Sequence, residues 1–312
     1  MTTPSLTIFS APKPFIDPHI ATIQVNAIQS WKQIGAQISI ILIGNEEGVA
    51  SVAKELGVEY EPNVERNSQG TPLISSIFDI GRNYNDSPLL AYINADILIF
   101  SDFLETSKMV LDKLEKFLLV GQRWDMEITN RIEFETGWET KLKEKCRSVG
   151  KLHPRGGSDY FVYPRSCFTE LPNFAVGRAG WDNWMFYQAR KNKWACIDTT
   201  NTIQIIHQNH DYSHLPGGQS HYRLPETNEN VRLAGGRRTI FTLQDVNHEI
   251  SEGVIKKYSL SWKKFWREIE IFPLISLNSI ELANLFFAIF HPKKAYLEFR
   301  NWLSSRKRKG RK

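Results

Sequence analysis

The sequence predicts an α/β protein: an open sheet flanked by helices, followed by a helical appendage at the carboxyl end. Three observations carry this. In the first half, short and fully apolar runs alternate with segments of helical period, the pattern of a parallel sheet covered on both faces. Polar residues stand where those apolar runs end, which is where open α/β sheets bind ligands. Beyond residue 249 the chain reads as helices interrupted by Pro273 and Pro292 and closes on a basic run.

In chain order, residues 6–9 form a short apolar strand that enters a loop holding Pro12, Pro14 and Pro18. Residues 20–34 carry Ile20, Ile23, Ala27, Ile28, Trp31 and Ile34 on one side at helical spacing. Residues 37–43 (QISIILI) are a continuous apolar strand that stops at Gly44-Asn45. A short helix over 48–56, a strand over 58–60, a helix over 72–84 and a strand over 89–93 (LLAYI) follow. After Asp102 come a helix to about residue 116, a strand over 117–121 and a polar stretch to Gly157 with a helix near 138–146. Residues 159–163 (DYFVY) read as a strand, 181–191 as a helix, and 195–198 and 202–206 as strands. Residues 208–240 are rich in Gly, His, Asn and Arg without a period and read as a long functional loop. Residues 250–303 read as two or three helices. The domain division expected is a sheet domain over 1–248, the helical appendage over 249–303 and a basic tail over 304–312.

At 312 residues, 41% hydrophobic and 23% charged, the chain is ordinary globular material, and wholesale disorder is excluded. Cys146, Cys167 and Cys196 are too few for a disulfide scaffold and lack zinc-site spacing, so they read as buried thiols of a reducing, cytoplasmic compartment. The first residues lack the charged start and apolar run of a secretory signal. Residues 293–312 hold nine Lys or Arg and one acid, a net +8, which leaves −3 for residues 1–292 out of the total of +5. A broadly positive face for nucleic acid is therefore excluded, and no nucleic-acid partner is expected.

Three groups of residues could carry chemistry. In Tyr92-Ile93-Asn94-Ala95-Asp96, an apolar strand drives polar residues out at its carboxyl end. Asp96 suits a hard divalent cation, Mg²⁺ or Mn²⁺, and Asn94 could offer its amide to a ribose or a metal-bound water; the alternative is that Asp96 caps the next turn. In Gly177-Arg178-Ala179-Gly180-Trp181-Asp182, glycines precede a carboxylate at a helix start. Asp182 there is a general base or an N-cap, and Trp181 a sugar platform or core. In 206–214, His207, His210, Asp211 and His214 crowd behind a strand; His207 and His210 could share a metal or be ordinary loop histidines. Asp159, after Gly156-Gly157, binds sugar hydroxyls or only begins a strand, and Arg123 pairs with phosphate or with Asp125. Neither a G-x-G-x-x-G after the first strand nor a P-loop is present, which disfavours a dinucleotide cofactor and excludes a P-loop NTPase.

The order of Arg66-Asn67-Ser68-Gln69-Gly70-Thr71-Pro72, a helix and then Leu89 to Asp96 resembles the nucleotide-sugar half of a GT-A glycosyltransferase, close to the family 2 group, over about residues 5–215. The resemblance implies the open mixed sheet of that fold and transfer of a sugar, of the hexosyltransferase type, from a nucleotide-diphosphate donor to an acceptor hydroxyl, inverting and dependent on Mn²⁺ or Mg²⁺. It implies that Asp96 binds the metal, with His207 or His210 as a second ligand, although Asn94 stands where the family's triplet has its first Asp. It implies Asp182 as the base, Ser10, Ala11, Pro12, Glu46, Asn67 and Asn94 around the donor, and Asp159 and Trp181 toward a carbohydrate or glycolipid acceptor in polysaccharide or glycoconjugate biosynthesis. Asn94 keeps open a non-catalytic carbohydrate-binding protein on the same fold; a nucleotidyltransferase is the third reading, which Ser10 to Pro14 disfavours by lacking a Gly- and Arg-rich phosphate loop.

Residues 272–290 are apolar-rich but include Pro273, Asn278, Glu281 and Asn284, so no membrane span is expected. Followed by the basic run, an amphipathic helix there could lie on an anionic membrane surface at the inner face, or pack on the sheet domain instead.

Overall fold

The computed structural model describes residues 3–210 and 224–309, with the backbone alone at 303 and 305–309. Asp211 and His214 of the histidine-rich segment, and most of the basic tail, lie outside the described residues and side chains.

The elements alternate as the apolar runs require: β1 (Leu6–Ser10), α1 (Pro18–Gln33), β2 (Ile38–Ile43), α2 (Val49–Leu56), β3 (Glu59–Glu61), α3 (Ile74–Asn83), β4 (Leu89–Ile93), β5 (Ile97–Leu98), α4 (Ser101–Leu111), β6 (Phe117–Val120) and β7 (Trp124–Met126). They continue through α5 (Trp138–Val149), β8 (Lys151–Leu152), β9 (Tyr160–Pro164), α6 (Trp181–Lys191), β10 (Ala195–Asp198), β11 (Ile206–Gln208), α7 (Pro225–Leu233), β12 (His248–Ser251) and β13 (Val254–Lys257). Three helices end the chain: α8 (Trp262–Ser276), α9 (Ile280–Phe290) and α10 (Pro292–Lys309).

The main sheet runs β13-β12-β10-β6-β9-β4-β1-β2-β3. β3, β2, β1 and β4 are mutually parallel, as the burial of β1 and β4 along their whole length predicts for the centre of the set. β9 enters antiparallel between β4 and β6, so the sheet is mixed. Apolar clusters cover both faces: Phe78, Trp184 and Phe186 on one, Val25, Ile28, Trp31 and Phe103 on the other.

Several features depart from the local reading. Residues 248–257 form a hairpin that extends the main sheet through β10. Within the segment expected to be one long loop, α7 forms, started by Pro225 at its first turn. The strand expected over 202–206 lies instead at β11. It joins a small second sheet, β5-β11-β7-β8.

That second sheet and β9 place the site. The β4–β9 register pairs Ile93 with Tyr160, which sets Asn94 beside Asp159 and is continued by the Asn94 N–H donating to the Asp159 carbonyl at 3.0 Å. β11 pairs His207 with Ile97 on one side and with Asp125 on the other. The Gln208 N–H donates to the Asp96 carbonyl at 3.3 Å, so the histidine segment is held against the end of β4. A buried polar layer on α1 locks this contact: Gln208 Nε2 donates to Ile23 O at 2.7 Å, and Asn26 Nδ2 donates to Gln208 Oε1 at 3.1 Å.

Candidate active site

At the carboxyl end of β4, Asp96, His207 and His210 each offer a ligand atom, and these atoms lie within 4.8 Å of one another. Asp96 is 7% exposed, and its Oδ1 is buried without a hydrogen-bond partner. An orphaned carboxylate oxygen beside two imidazoles is a poor arrangement for a closed core and a suitable one for a divalent ion. The set of one oxygen and two nitrogens suits Mn²⁺ or a similar borderline cation better than Mg²⁺, which prefers oxygen. Asp96 Oδ2 lies 3.1 Å from His210 Nε2 and accepts from Lys13 Nζ at 3.3 Å. Burial alone would raise the Asp96 pKa; Lys13 and the two histidines overcome it and hold the carboxyl well below the usual range. Of His207 and His210, left as alternatives by the resemblance, the structure brings both to Asp96.

Asp125 stands beside His207. The His207 Nδ1 lies 3.2 Å from Asp125 Oδ1 but is buried without hydrogen-bond geometry to it. His153 Nδ1 bonds the other oxygen, Oδ2, at 2.7 Å. The carboxylate thus faces both imidazoles and bonds only that of His153. Against the pull of burial, these histidines and Arg123 hold the Asp125 carboxyl below its ordinary range.

Asn94 does not face the metal group. Its Nδ2 donates to Asp159 Oδ1 at 2.9 Å. Arg123 Nη1 donates to both Asp159 oxygens at 2.9 Å, and its Nε donates to Asp125 Oδ1 at 2.8 Å. Arg123 therefore pairs with both carboxylates rather than with Asp125 alone. A second Asp at position 94 would set two carboxylates in contact, so the amide is what Asp159 requires there. Hydrogen bonds link Asn94, Asp159, Arg123 and Asp125, and Asp125 faces His207 at 3.2 Å.

Asp182 occupies the second position of α6, and Gly180 is the N-cap. The alternative of Asp182 as N-cap is thus not realised; its Oδ1 accepts the Gly180 N–H at 3.2 Å. A Cβ at Gly157 would stand 3.1 Å from Asp182 Oδ2, so a side chain there would crowd that oxygen. The residue is half-buried with its carboxyl set deep. Burial raises its pKa, backbone N–H groups oppose the rise, and the nearby Asp159 charge adds to it. Gly157, against Asp182 Oδ2, lies two residues before Asp159, whose carbonyl accepts the Asn94 N–H at 3.0 Å.

The remaining expected residues divide. Trp181 is 6% exposed, with its ring against Tyr92 at 5.0 Å and Phe161 at 5.3 Å between centroids, so it is core and not a platform. The Ser10 hydroxyl is fully buried and donates to Ile93 O at 2.6 Å, which spends it on joining β1 to β4. Ala11 is partly buried against the core and Pro12 is buried. Asn67 is consumed by structure: Oδ1 accepts the N–H groups of Gln69 and Thr71, and Nδ2 donates to Glu226 at 2.6 Å. Glu226 also takes Arg178 Nε at 2.7 Å, so α7 braces the glycine loop before Asp182. Glu46 Oε1 accepts from Arg66 at 2.9 Å, while its Oε2 is buried without a partner at the end of β2.

Lys13, Asp125 and His153 were not foreseen as site residues. The signal for Asp125 was its place after an apolar strand; for Lys13 and His153 the sequence offered none, because their partners are distant in the chain.

No protein-family model matches the sequence, and no curated protein matches it with significance. Solved structures of glycosyltransferases are similar to the chain. They include TarS 1–349 of S. aureus in complex with UDP-GlcNAc, at 9% identity and a TM-score of 0.47, with 74% of this chain and 65% of that one covered. The mannosyltransferase PcManGT from Pyrobaculum calidifontis, in complex with GDP-Man and Mn²⁺, shows 10% identity and a TM-score of 0.42 over 66% of this chain and 57% of that one. Glucosyl-3-phosphoglycerate synthase from Mycobacterium tuberculosis, with Mn²⁺, UDP and glucosyl-3-phosphoglycerate, shows 12% identity and a TM-score of 0.47 over 83% and 88%. The chain thus spans just under two thirds of the S. aureus structure's length. Each of these three TM-scores is below 0.5, so the likenesses by themselves assign no function.

Proposed function

We propose that the chain is a glycosyltransferase that moves a sugar, of the hexose type, from a nucleotide-diphosphate donor to an acceptor hydroxyl with inversion. The observation that carries this is the grouping of Asp96, His207 and His210 at one strand end, with the Asp182 carboxyl set against Gly157, two residues from the Asp159 that accepts from Asn94. Asp96, His207 and His210 would hold a divalent ion, which when bound offsets the charge gathering on a departing diphosphate. Asp182 takes the proton of the acceptor hydroxyl, and the oxygen so freed attacks the anomeric carbon from the side opposite the leaving group. A carboxyl whose pKa is raised by burial is a stronger base than an exposed one, which suits that role. Glu46, with its unpartnered Oε2 beside Arg66, is the best-supported donor contact on the β2 side, suited to ribose or base hydroxyl and amino groups. Asp159, held by Asn94 and Arg123, positions rather than reacts.

The acceptor we assign to the same reading is a carbohydrate or glycolipid of polysaccharide or glycoconjugate synthesis, met at the inner face of a membrane. Its support is the appendage: Trp262, Phe265, Phe272, Ile289 and Phe299 are exposed there, beside Lys293, Lys294 and Arg300. No described helix is long and apolar enough to cross a membrane, so attachment of this kind would be peripheral.

The test is incubation with a panel of UDP- and GDP-sugars and Mn²⁺, followed by analysis of the phosphate products. Slow metal-dependent release of nucleoside diphosphate is expected. Pyrophosphate exchange would instead mark a nucleotidyltransferase, and binding without turnover of any donor a non-catalytic carbohydrate binder.

A further inference from the structure

We propose that the Lys13 ammonium is a built-in counter-cation that competes with the divalent ion for Asp96 and is drawn off by the donor's diphosphate, so that metal and donor bind synergistically. The proposal rests on the metal reading of Asp96, His207 and His210 and adds to it a role for a residue outside that set.

Lys13 Nζ lies 3.3 Å from Asp96 Oδ2 and 2.9 Å from His210 Nε2, on two of the three metal ligands at once. A divalent ion bonds such atoms at roughly 2.0–2.2 Å, so it and the ammonium cannot occupy this corner together. Two cations brought that close in a partly buried site repel strongly. One has to leave, and the carboxylate alone cannot satisfy both.

The placement of Lys13 is built. Gln24, 1% exposed on α1, accepts the Lys13 N–H on Oε1 at 2.7 Å and donates Nε2 to the Lys13 carbonyl at 2.9 Å. Both ends of a buried amide are thus spent on the backbone of one residue. Pro12 and Pro14 flank it and restrict the loop further. The backbone is held while the four-carbon side chain, 30% exposed, keeps a route into the cleft. What it meets there in the proposed reaction is a diphosphate, the strongest anion on offer to a displaced ammonium. The donor then removes the metal's competitor, and the metal holds the donor. By linkage, each raises the other's affinity by the same factor.

The test is Mn²⁺ binding, followed by the electron paramagnetic resonance of the free ion, with inorganic pyrophosphate as the diphosphate probe and a protein-free titration to subtract their complex in solution. Wild type is compared with Lys13→Met and Lys13→Gln, with Asp96→Asn as the site control and melting temperature as the check on folding. The expected result is that both Lys13 variants bind Mn²⁺ alone about tenfold more tightly than wild type, within the ordinary range of coupling. Pyrophosphate should tighten Mn²⁺ binding in wild type by a similar factor and do so far less in the variants. Mn²⁺ binding by the Lys13 variants within about twofold of wild type, or an equal pyrophosphate gain in all three, would overturn the proposal and leave the metal reading standing. Absence of Mn²⁺ binding in every protein, with or without pyrophosphate, or binding that survives Asp96→Asn unchanged, would remove the metal site and this inference with it.

Discussion

Asp182 and Asn94 show how much a single position can say. Both stood out in the sequence because a polar residue followed a strand or a glycine turn. What Asn94 does was not legible, since its partner Asp159 is 65 residues away and is delivered only by the antiparallel entry of β9. Asn94→Asp would place a second carboxylate 2.9 Å from Asp159 Oδ1 with Arg123 to serve both; we expect a loss of about 1–3 kcal/mol in urea unfolding. Trp181 misled for a physical reason: an aromatic residue beside a glycine turn reads as a platform, but the period of α6 turns it into the same core as Met185. For Asp182, a folded pKa above the unfolded value means that the folded state binds the proton more readily. The ionised carboxyl is then a full burden above the folded pKa; the burden shrinks as the pH falls from there and is gone below the unfolded pKa. Asp182→Asn should therefore melt no lower than wild type at neutral pH, with the difference shrinking in acid. It should lose roughly 10²–10⁴ in transfer rate while keeping donor binding, and the acid limb of wild-type transfer should lie above the usual carboxylate value of about 4. Transfer within about threefold of wild type would reduce Asp182 to a structural acid.

At the scale of elements, β1, β2 and β4 were legible because they are short, mostly apolar runs that are largely buried. The second sheet was not, because strands of two or three residues are too short to show alternation. α7 escaped for a different reason. The face it buries holds Glu226, Thr227 and Asn230, so no apolar period marks it, and it is fixed by hydrogen bonds such as Asn230 Oδ1 accepting the Ala175 N–H at 2.9 Å. The seam between α1 and β11 is likewise polar, and it sets the two histidines. Gln208→Leu would remove the side-chain donor to the Ile23 and Asp96 carbonyls and one of the two acceptors of Asn26 Nδ2. A stability loss of about 1–3 kcal/mol is expected, together with weaker Mn²⁺ binding, since His207 and His210 would no longer be registered on Asp96. Normal Mn²⁺ affinity in a folded Gln208→Leu protein would show that β11 does not set the site.

Across the whole molecule, charge is divided as the sequence indicated, with the excess in the last residues and a slightly acidic body. The appendage is tied to that body by buried ions: Arg190 Nη2 donates to Glu268 at 2.6 Å, Lys264 Nζ to the Val246 carbonyl at 2.7 Å, and Arg267 Nε to Asp245 at 2.7 Å. Ile271, Leu274 and Ala283 complete the main core. Neither contact set was legible, because each joins segments whose local patterns are complete without it. The outer side of the same helices remains apolar and aromatic, with the aromatic rings of Trp262 and Trp266 5.3 Å apart. Deleting residues 306–312 should weaken binding to anionic liposomes, at about 1 kcal/mol per basic residue near the surface, and wild-type binding should fall with salt; equal and salt-insensitive binding by both forms would remove the membrane assignment. The proposed transfer depends on metal-assisted departure of a diphosphate at Asp96. The rate of nucleoside diphosphate release from the donor that wild type turns over, measured by ³¹P NMR with Mn²⁺, with chelator, and with Asp96→Asn, tests this step. Release should need Mn²⁺ and be lost in the variant; release by a folded Asp96→Asn protein at the wild-type rate, or undiminished by chelator, would contradict the metal role of Asp96.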